Sequence, residues 1–247
     1  MTVDQGLSGK RVLLTGGSKG IGRVTALAFA DAGATVVAGH RTDDEDAQSL
    51  SREFKERGAG HRVVRADVTT RTGAEALASA ARDALGGLDV LVNNVGVDGA
   101  VPFGELPEVE WHRVFDHNVT SAYLVTQAVL GLLGSGASVV NVGSSVALRG
   151  RAGGVHYSAS KTALTGFTRA LAKDLGSEGI RVNLVAPGLT ETEPGAGLPA
   201  PVLDRIKAMT ALGRLCGPED VAGAVLFLSG DTSRCISGTT LNVDGGI

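Results

Sequence analysis

Cysteine is scarce. The 247 residues hold two, Cys216 and Cys235, and their placement suits neither a metal site nor a disulfide framework. Both read as free thiols, buried or half-buried, in a reducing compartment. The first residues, MTVDQGLSGKRVLLTGG, lack the apolar stretch of a signal peptide. No later run approaches the roughly 20 apolar residues of a membrane span. The expectation is a cytoplasmic protein with no membrane partner. Charge of one sign is not in excess either, and a formal net charge of −3 offers no general attraction to nucleic acid or an anionic surface. The five histidines are scattered without an HExxH pair, so no catalytic metal is expected. Internal repeats and interdomain linkers are missing, and residues 1–247 fit one large domain with a sizeable core.

What is present begins with 36 glycines, most at the ends of short apolar runs, where turns and close ligand approach need them. Val- and Leu-rich runs at residues 11–15 (RVLLT), 35–38 (TVVA), 62–65, 89–92 (DVLV), 138–142 (SVVNV), 181–185 (RVNLV) and 239–243 read as strands. Helical patterns at about 21–32, 44–57, 72–85, 107–132, 155–177 and 219–228 separate them. Within 155–177, Leu164, Phe167, Leu171 and Leu175 recur at three- and four-residue intervals, the stripe of a helix packed on a sheet. Such alternation predicts an α/β fold, a parallel sheet covered on both faces with right-handed crossovers. Residues 191–201 (ETEPGAGLPAP) are rich in Pro and Gly, as a surface loop or a lid over a site would be.

Residues 15–22 read TGGSKGIG between the first strand and the first helix. Gly16, Gly20 and Gly22 would let backbone approach a pyrophosphate at the helix N-terminus, where unpaired N–H groups and the helix dipole favour anions. The spacing differs from the G-x-G-x-x-G fingerprint, and no Gly-Lys-Ser/Thr follows to make a nucleotide-triphosphate loop. At the end of the second strand, where a carboxylate would take the free 2′-hydroxyl of NAD, stand His40 and Arg41. With Lys19 inside the turn, these basic groups suit a 2′-phosphate and predict NADP(H).

Farther along, GSSVALRGRAGGVHYSASK at residues 143–161 places Tyr157 four positions before Lys161, one helical turn apart on one face. A phenol beside an ammonium suggests proton chemistry at a polar oxygen. Ser144 lacks the glycine-flanked elbow and partnered histidine of a nucleophile. His156 reads as a surface or pocket-wall residue.

With TGGSKGIG, NNVG at residues 93–96, the Ser144, Tyr157 and Lys161 set, Pro187 with Gly188, and VDGG at 243–246, the chain resembles the short-chain dehydrogenase/reductase family over essentially its whole length. That resemblance implies a single-domain Rossmann fold of seven parallel strands in the order 3-2-1-4-5-6-7, assembled as a homo-oligomer, dimer or tetramer. It implies cofactor contacts from Gly16, Ser18, Lys19, Gly20, Ile21, Gly22, His40 and Arg41. Asp67 and Val68 would meet adenine, and Asn94 and Gly96 would line the adenosine ribose, with Asn93 stabilising the sheet. Pro187, Gly188, Thr190 and Thr192 would hold the nicotinamide. Tyr157 would be the general acid, its pKa lowered by Lys161, which would also hold the nicotinamide ribose. Ser144 would orient the substrate oxygen, and Asn118 on the fourth helix would hold a water linking Lys161 to solvent. Two departures stand out: Val95 replaces the usual alanine of NNAG, and His40 is unusual at its position.

The resemblance extends to 3-oxoacyl-carrier-protein reductases and to ketoreductases that tailor aromatic polyketides. Pocket walls are expected from residues 97–101, 146–153 and 191–209, with 189–212 as a substrate loop or lid. Their mostly small or aliphatic side chains suit a largely apolar ketone or a carrier-tethered acyl chain. In the tethered case an acyl carrier protein is the partner, met by Arg149 and Arg151. The rival reading is a non-catalytic NADP(H)-binding sensor or scaffold, against which the intact Asn118, Ser144, Tyr157 and Lys161 set argues.

Overall fold

The computed structural model describes residues 4–42, 44–191 and 199–247. The strands β1 (Arg11–Thr15), β2 (Thr35–His40), β3 (Arg62–Arg65), β4 (Leu88–Asn93), β5 (Leu133–Val142), β6 (Arg181–Pro187) and β7 (Thr240–Val243) form one sheet. Every neighbouring pair is parallel, and the order β3-β2-β1-β4-β5-β6-β7 is the one expected. The helices are α1 (Gly20–Asp31), α2 (Glu45–Arg57), α3 (Arg71–Leu85), α4 (Glu108–Phe115), α5 (Ser121–Val129), α6 (Val146–Arg149), α7 (Val155–Asp174), α8 (Ala200–Met209) and α9 (Pro218–Ser229).

Period-two alternation along buried strands sends neighbouring side chains to opposite faces. Val12 and Leu14 of β1 join Phe29 of α1, Leu50 and Phe54 of α2 and Val221 of α9 in one core. Leu13, between them, packs instead with Leu77 of α3 and Leu124 and Val125 of α5. Both faces are therefore covered, and the sheet's functional edge is left at the strand ends. Strand order reverses beside β1, which pairs with both β2 and β4. The crevice beyond the carboxyl ends of these strands is the binding position of an open parallel sheet.

Several elements depart from the sequence reading. The single helix expected over residues 107–132 is α4, a π turn at Asp116–Thr120, and α5. π turns insert a residue into a helix and recur at functional positions; this one carries Asn118, which is 1% exposed. β5 begins at Leu133, before the Val-rich run, and α8 lies within the segment expected to be a loop or lid. Cys216 is buried as expected but Cys235 is exposed, because it follows a surface turn at Asp231–Ser233. Among the described residues no helix is long and apolar enough to cross a membrane.

Candidate active site

β1 delivers the glycine turn to the crevice. Gly16 has φ of 68°, a left-handed conformation in which a Cβ is disfavoured. Gly22 is needed for a different reason: a Cβ there would stand 2.1 Å from Gly16 O and 2.5 Å from Asn94 Nδ2. Asn94 locks the turn, its Nδ2 donating to Thr15 O (3.1 Å) and Gly16 O (3.0 Å). Thr15 Oγ1 accepts from the backbone of Asn94 (3.0 Å) and Val95 (3.2 Å). α1 has no side-chain cap at Lys19, whereas Asp44 and Thr70 cap α2 and α3. Open N–H groups at a glycine cradle suit a pyrophosphate. A cavity of about 470 Å³ opens over the turn, lined by Gly16, Ser18, Lys19, Ile21, Gly22, His40, Arg41, Asp67, Val68, Asn94 and Gly96. Gly20 begins α1 at its edge.

At the adenosine end the expected basic cluster is only partly available. Lys19 Nζ lies 3.2 Å from Asp44 Oδ2 and 2.8 Å from Asp46 Oδ2, so its charge is already met by two carboxylates from the start of α2. His40 is 7% exposed, its Nδ1 bonded to Thr42 O at 2.9 Å. Arg41 Nη1 stands 2.8 Å from Nε2 of His117, on the π turn, a wall residue that the sequence reading omitted. Thr69's hydroxyl is the chief reason that the Asp67 carboxyl is held below its ordinary value; burial opposes, while Arg41 adds a smaller pull downward.

A second cavity of about 450 Å³ adjoins the first, the two sharing Ile21, Asn94, Gly96 and Val97. Ser144, Tyr157, Lys161, Pro187, Gly188 and Thr190 line it together. Ser144 sits just past β5, in a strand end anchored by Gly143 N to Val185 O (2.7 Å) and Ser145 N to Pro187 O (2.8 Å). Tyr157 and Lys161 come from the first two turns of α7. Lys161 Nζ donates to Val142 O (3.2 Å) and lies 5.9 Å from the Tyr157 ring centroid. Thr192 lies outside the described residues. Asn93 is buried and donates to Thr126 Oγ1 and Asn141 Oδ1, both at 2.9 Å, tying β4 to β5 and α5.

One expectation, the direction of the Tyr157 shift, is corrected here. Asn118 has its amide committed to the chain: Oδ1 accepts from Val97 N (2.7 Å), and Nδ2 donates to Val97 O (3.1 Å) and Ser160 Oγ (2.9 Å). It pins the loop after β4 to α7 and stands near Lys161, with Gly96 between them. The Tyr157 phenol, expected to be lowered by Lys161, is instead raised above its ordinary value of 10.0, because burial disfavours the phenolate. A hydrogen bond with Ser144 and the Arg151 guanidinium pull it down, and Asp98 pushes it up. Burial also brings Lys161 down to about 8, with Asp98 acting the other way.

Asp98 and Arg151 were missed as a unit. Arg151 Nη1 and Nη2 reach Asp98 Oδ2 (3.0 Å) and Oδ1 (2.5 Å), Nη2 also donates to Gly99 O (2.7 Å), and the guanidinium carbon sits 4.9 Å from the Tyr157 ring centroid. Nothing in the sequence links residue 98 to residue 151, and each alone reads as a solvated loop charge. Arg149 donates to Ser145 Oγ (3.1 Å). His156 is neither surface nor pocket wall: it is fully buried, its Nε2 3.6 Å from Glu110 Oε1.

A glycine cradle at a strand-order switch, joined to a Ser, Tyr and Lys chamber, defines a dinucleotide-dependent oxidoreductase architecture. A family model described as enoyl-(acyl carrier protein) reductase matches residues 16–247. The chain is 37% identical over 243 residues to the 3-oxoacyl-[acyl-carrier-protein] reductase FabG of Vibrio cholerae, covering 98% of each. It is 40% identical over 240 residues to the cis-4-hydroxycyclohexanecarboxylate dehydrogenase of Sinomonas cyclohexanicum, covering 95% of this chain and 94% of that one. A short-chain dehydrogenase from Burkholderia cenocepacia solved in complex with NADP superposes with a TM-score of 0.91 at 36% identity, covering 97% of this chain and 98% of that one. The protein belongs to the short-chain dehydrogenase/reductase family.

Proposed function

We propose that the protein reduces a ketone to a secondary alcohol with NADPH. The observation carrying this reading is the convergence of Ser144, Tyr157 and Lys161 on a cavity continuous with the glycine cradle. Bound NADPH supplies the hydride. The cradle of Gly16, Ser18 and Gly22 holds its pyrophosphate, Arg41 its 2′-phosphate, and Lys161, Pro187, Gly188 and Thr190 its nicotinamide end. Tyr157 donates its proton to the carbonyl oxygen. Its raised pKa keeps it protonated throughout the neutral range, as an acid must be. Ser144 donates a hydrogen bond to the same oxygen, orienting it and stabilising developing negative charge. Lys161 restores charge balance beside the phenol after proton transfer.

The substrate is proposed to be a largely apolar, polyketide-type ketone. The 3-oxoacyl thioester of a carrier protein is the second reading, favoured by the similarity to the Vibrio cholerae reductase. The mouth is more polar than expected, since Asp98 lines the chamber and Arg151 crosses beside it. The test is NADPH oxidation with a panel of cyclic and polycyclic ketones, 3-oxoacyl thioesters free and carrier-bound, and quinones. Turnover of any ketone that requires Tyr157 supports the reading. Binding of NADPH with no turnover across the panel would favour a sensor or scaffold. We propose a homodimer or homotetramer, to be checked by sedimentation.

A further inference from the structure

With Lys19 engaged by Asp44 and Asp46, Arg41 carries the main charge available to a 2′-phosphate among the groups described above. An exposed arginine at a strand end samples many rotamers, and ordering one on binding reduces affinity. Arg41 is not left to sample them. Its Nη1 lies 2.8 Å from His117 Nε2, and the other ring nitrogen, Nδ1, lies 2.8 Å from the backbone carbonyl of Arg113. A carbonyl only accepts, so Nδ1 carries the proton and donates to it. Nε2 then offers a lone pair, and Arg41 donates to it. The carbonyl of Arg113, one helical turn earlier, thereby fixes the tautomer that lets His117 receive a cation. His117 O accepts from Ser121 Oγ at 2.5 Å, which fixes the histidine's backbone in the π turn. Among the described residues one of the five guanidinium N–H groups is used, which leaves others to face an anion.

We propose that His117 is a positioning residue for cofactor choice: neutral, with its proton on Nδ1, it holds Arg41 across the adenosine end of the cavity so that the 2′-phosphate meets an already ordered guanidinium. This rests on the reading of Arg41 as the 2′-phosphate ligand. The effect favours the phosphate, because NADH lacks the anion that Arg41 would pair with. A residue that merely walled the adenine would act on both cofactors alike.

The test is direct binding, without substrate: dissociation constants for NADPH and NADH by fluorescence titration with the intact protein, its Arg41→Ala, His117→Ala and His117→Gln variants. Glutamine presents a carbonyl acceptor. Arg41→Ala should lower the preference for NADPH the most. His117→Ala should lower it roughly three- to tenfold while leaving NADH binding unchanged, from loss of one ordered side chain, and His117→Gln should restore part of it. Equal weakening of both cofactors by His117→Ala, or no change in either, overturns the role of His117 while leaving Arg41 intact. If Arg41→Ala itself leaves the preference unchanged, the 2′-phosphate reading fails, and this inference with it. Far-ultraviolet circular dichroism of each variant confirms folding, and should His117→Ala misfold, His117→Phe, which keeps a ring but offers no acceptor, takes its place with the same outcomes.

Discussion

The two ends of the cleft are built by different means. At the cofactor end, main chain and short polar side chains make the site: the turn after β1, locked by Asn94 onto Thr15 and Gly16. At the substrate end, loops are strapped together by charged side chains. Arg151 holds Asp98, and Arg113 reaches the backbone carbonyl of Asp98 (2.9 Å) while its guanidinium is gripped by Glu110 at 2.6 and 2.7 Å. A backbone cradle changes only if the sheet changes. Exposed ion pairs contribute little individually and can be exchanged without unfolding anything. Cofactor chemistry is thus tied to the fold, while substrate choice rests on side chains that can vary over it.

The largest test acts at the seam between the two. Tyr157→Phe removes one hydroxyl from the substrate chamber and nothing from the cradle. Ketone reduction should fall by roughly 10²–10⁴-fold, the usual worth of a positioned acid, while the Kd for NADPH measured by fluorescence stays within about twofold. More than a few per cent of residual activity would remove Tyr157 from the role of acid. Loss of NADPH binding would show that the two ends are not separable.

Lys161→Met should abolish turnover yet stabilise the fold. Burying this ammonium brings its pKa from 10.5 to about 8, so at neutral pH the folded state carries a charge that solvent would hold better. The shift corresponds to a ceiling of ~3 kcal/mol, since one unit is about 1.4 kcal/mol; loss of the bond to Val142 O reduces the gain. The sign follows from proton counts. Between about pH 8 and 10.5 the unfolded chain binds the proton and the folded one does not, so wild-type stability rises with pH in that window. The advantage of the methionine variant in urea unfolding should be greatest below pH 8 and shrink above it. A variant less stable at pH 7 would show that the bond to Val142 outweighs desolvation.

Legibility follows the same division. Contiguous signals were readable: TGGSKGIG gave the turn after β1, the succession of Val- and Leu-rich runs and helical patterns gave a parallel sheet covered on both faces, and the four-residue step from Tyr157 to Lys161 gave the shared helix face. What escaped depends on tertiary placement. The π turn has no signature in FDHNVT, so Asn118 was located on a helix but its clasp on Val97 and Ser160 was not foreseen. Lys19 reads as a phosphate ligand from sequence, which gives no sign that α2 brings Asp44 and Asp46 beside it. Burial of Tyr157 is likewise a property of packed loops, so the sign of its shift could not be read from a neighbouring lysine.

A smaller effect sharpens the cofactor end. Arg41→Asp should lower the kcat/KM preference for NADPH over NADH by roughly 10- to 100-fold, the loss of a charge-assisted contact replaced by repulsion. Activity with a good ketone and saturating NADH should persist, since the substrate end is untouched. Equal kcat/KM for the two cofactors in the unmodified protein would undo the reading of this end.

The smallest effect belongs to the strap. Arg151 pulls the Tyr157 phenol down and Asp98 pushes it up, each against the larger effect of burial. Alcohol oxidation needs the phenolate, so its rate rises with pH through the phenol's pKa. Arg151→Met removes a downward pull and should move that rise to higher pH by less than about one unit, the range of a partly exposed charge. Asp98→Asn should move it the other way. Both variants should raise KM for the ketone several-fold, from loosened loops, with NADPH binding unchanged. Opposite shifts from the two variants identify electrostatic tuning of Tyr157. Identical shifts mean that the pair acts only as a mechanical link, and a change in NADPH affinity means that the substrate-end strap reaches the cradle after all.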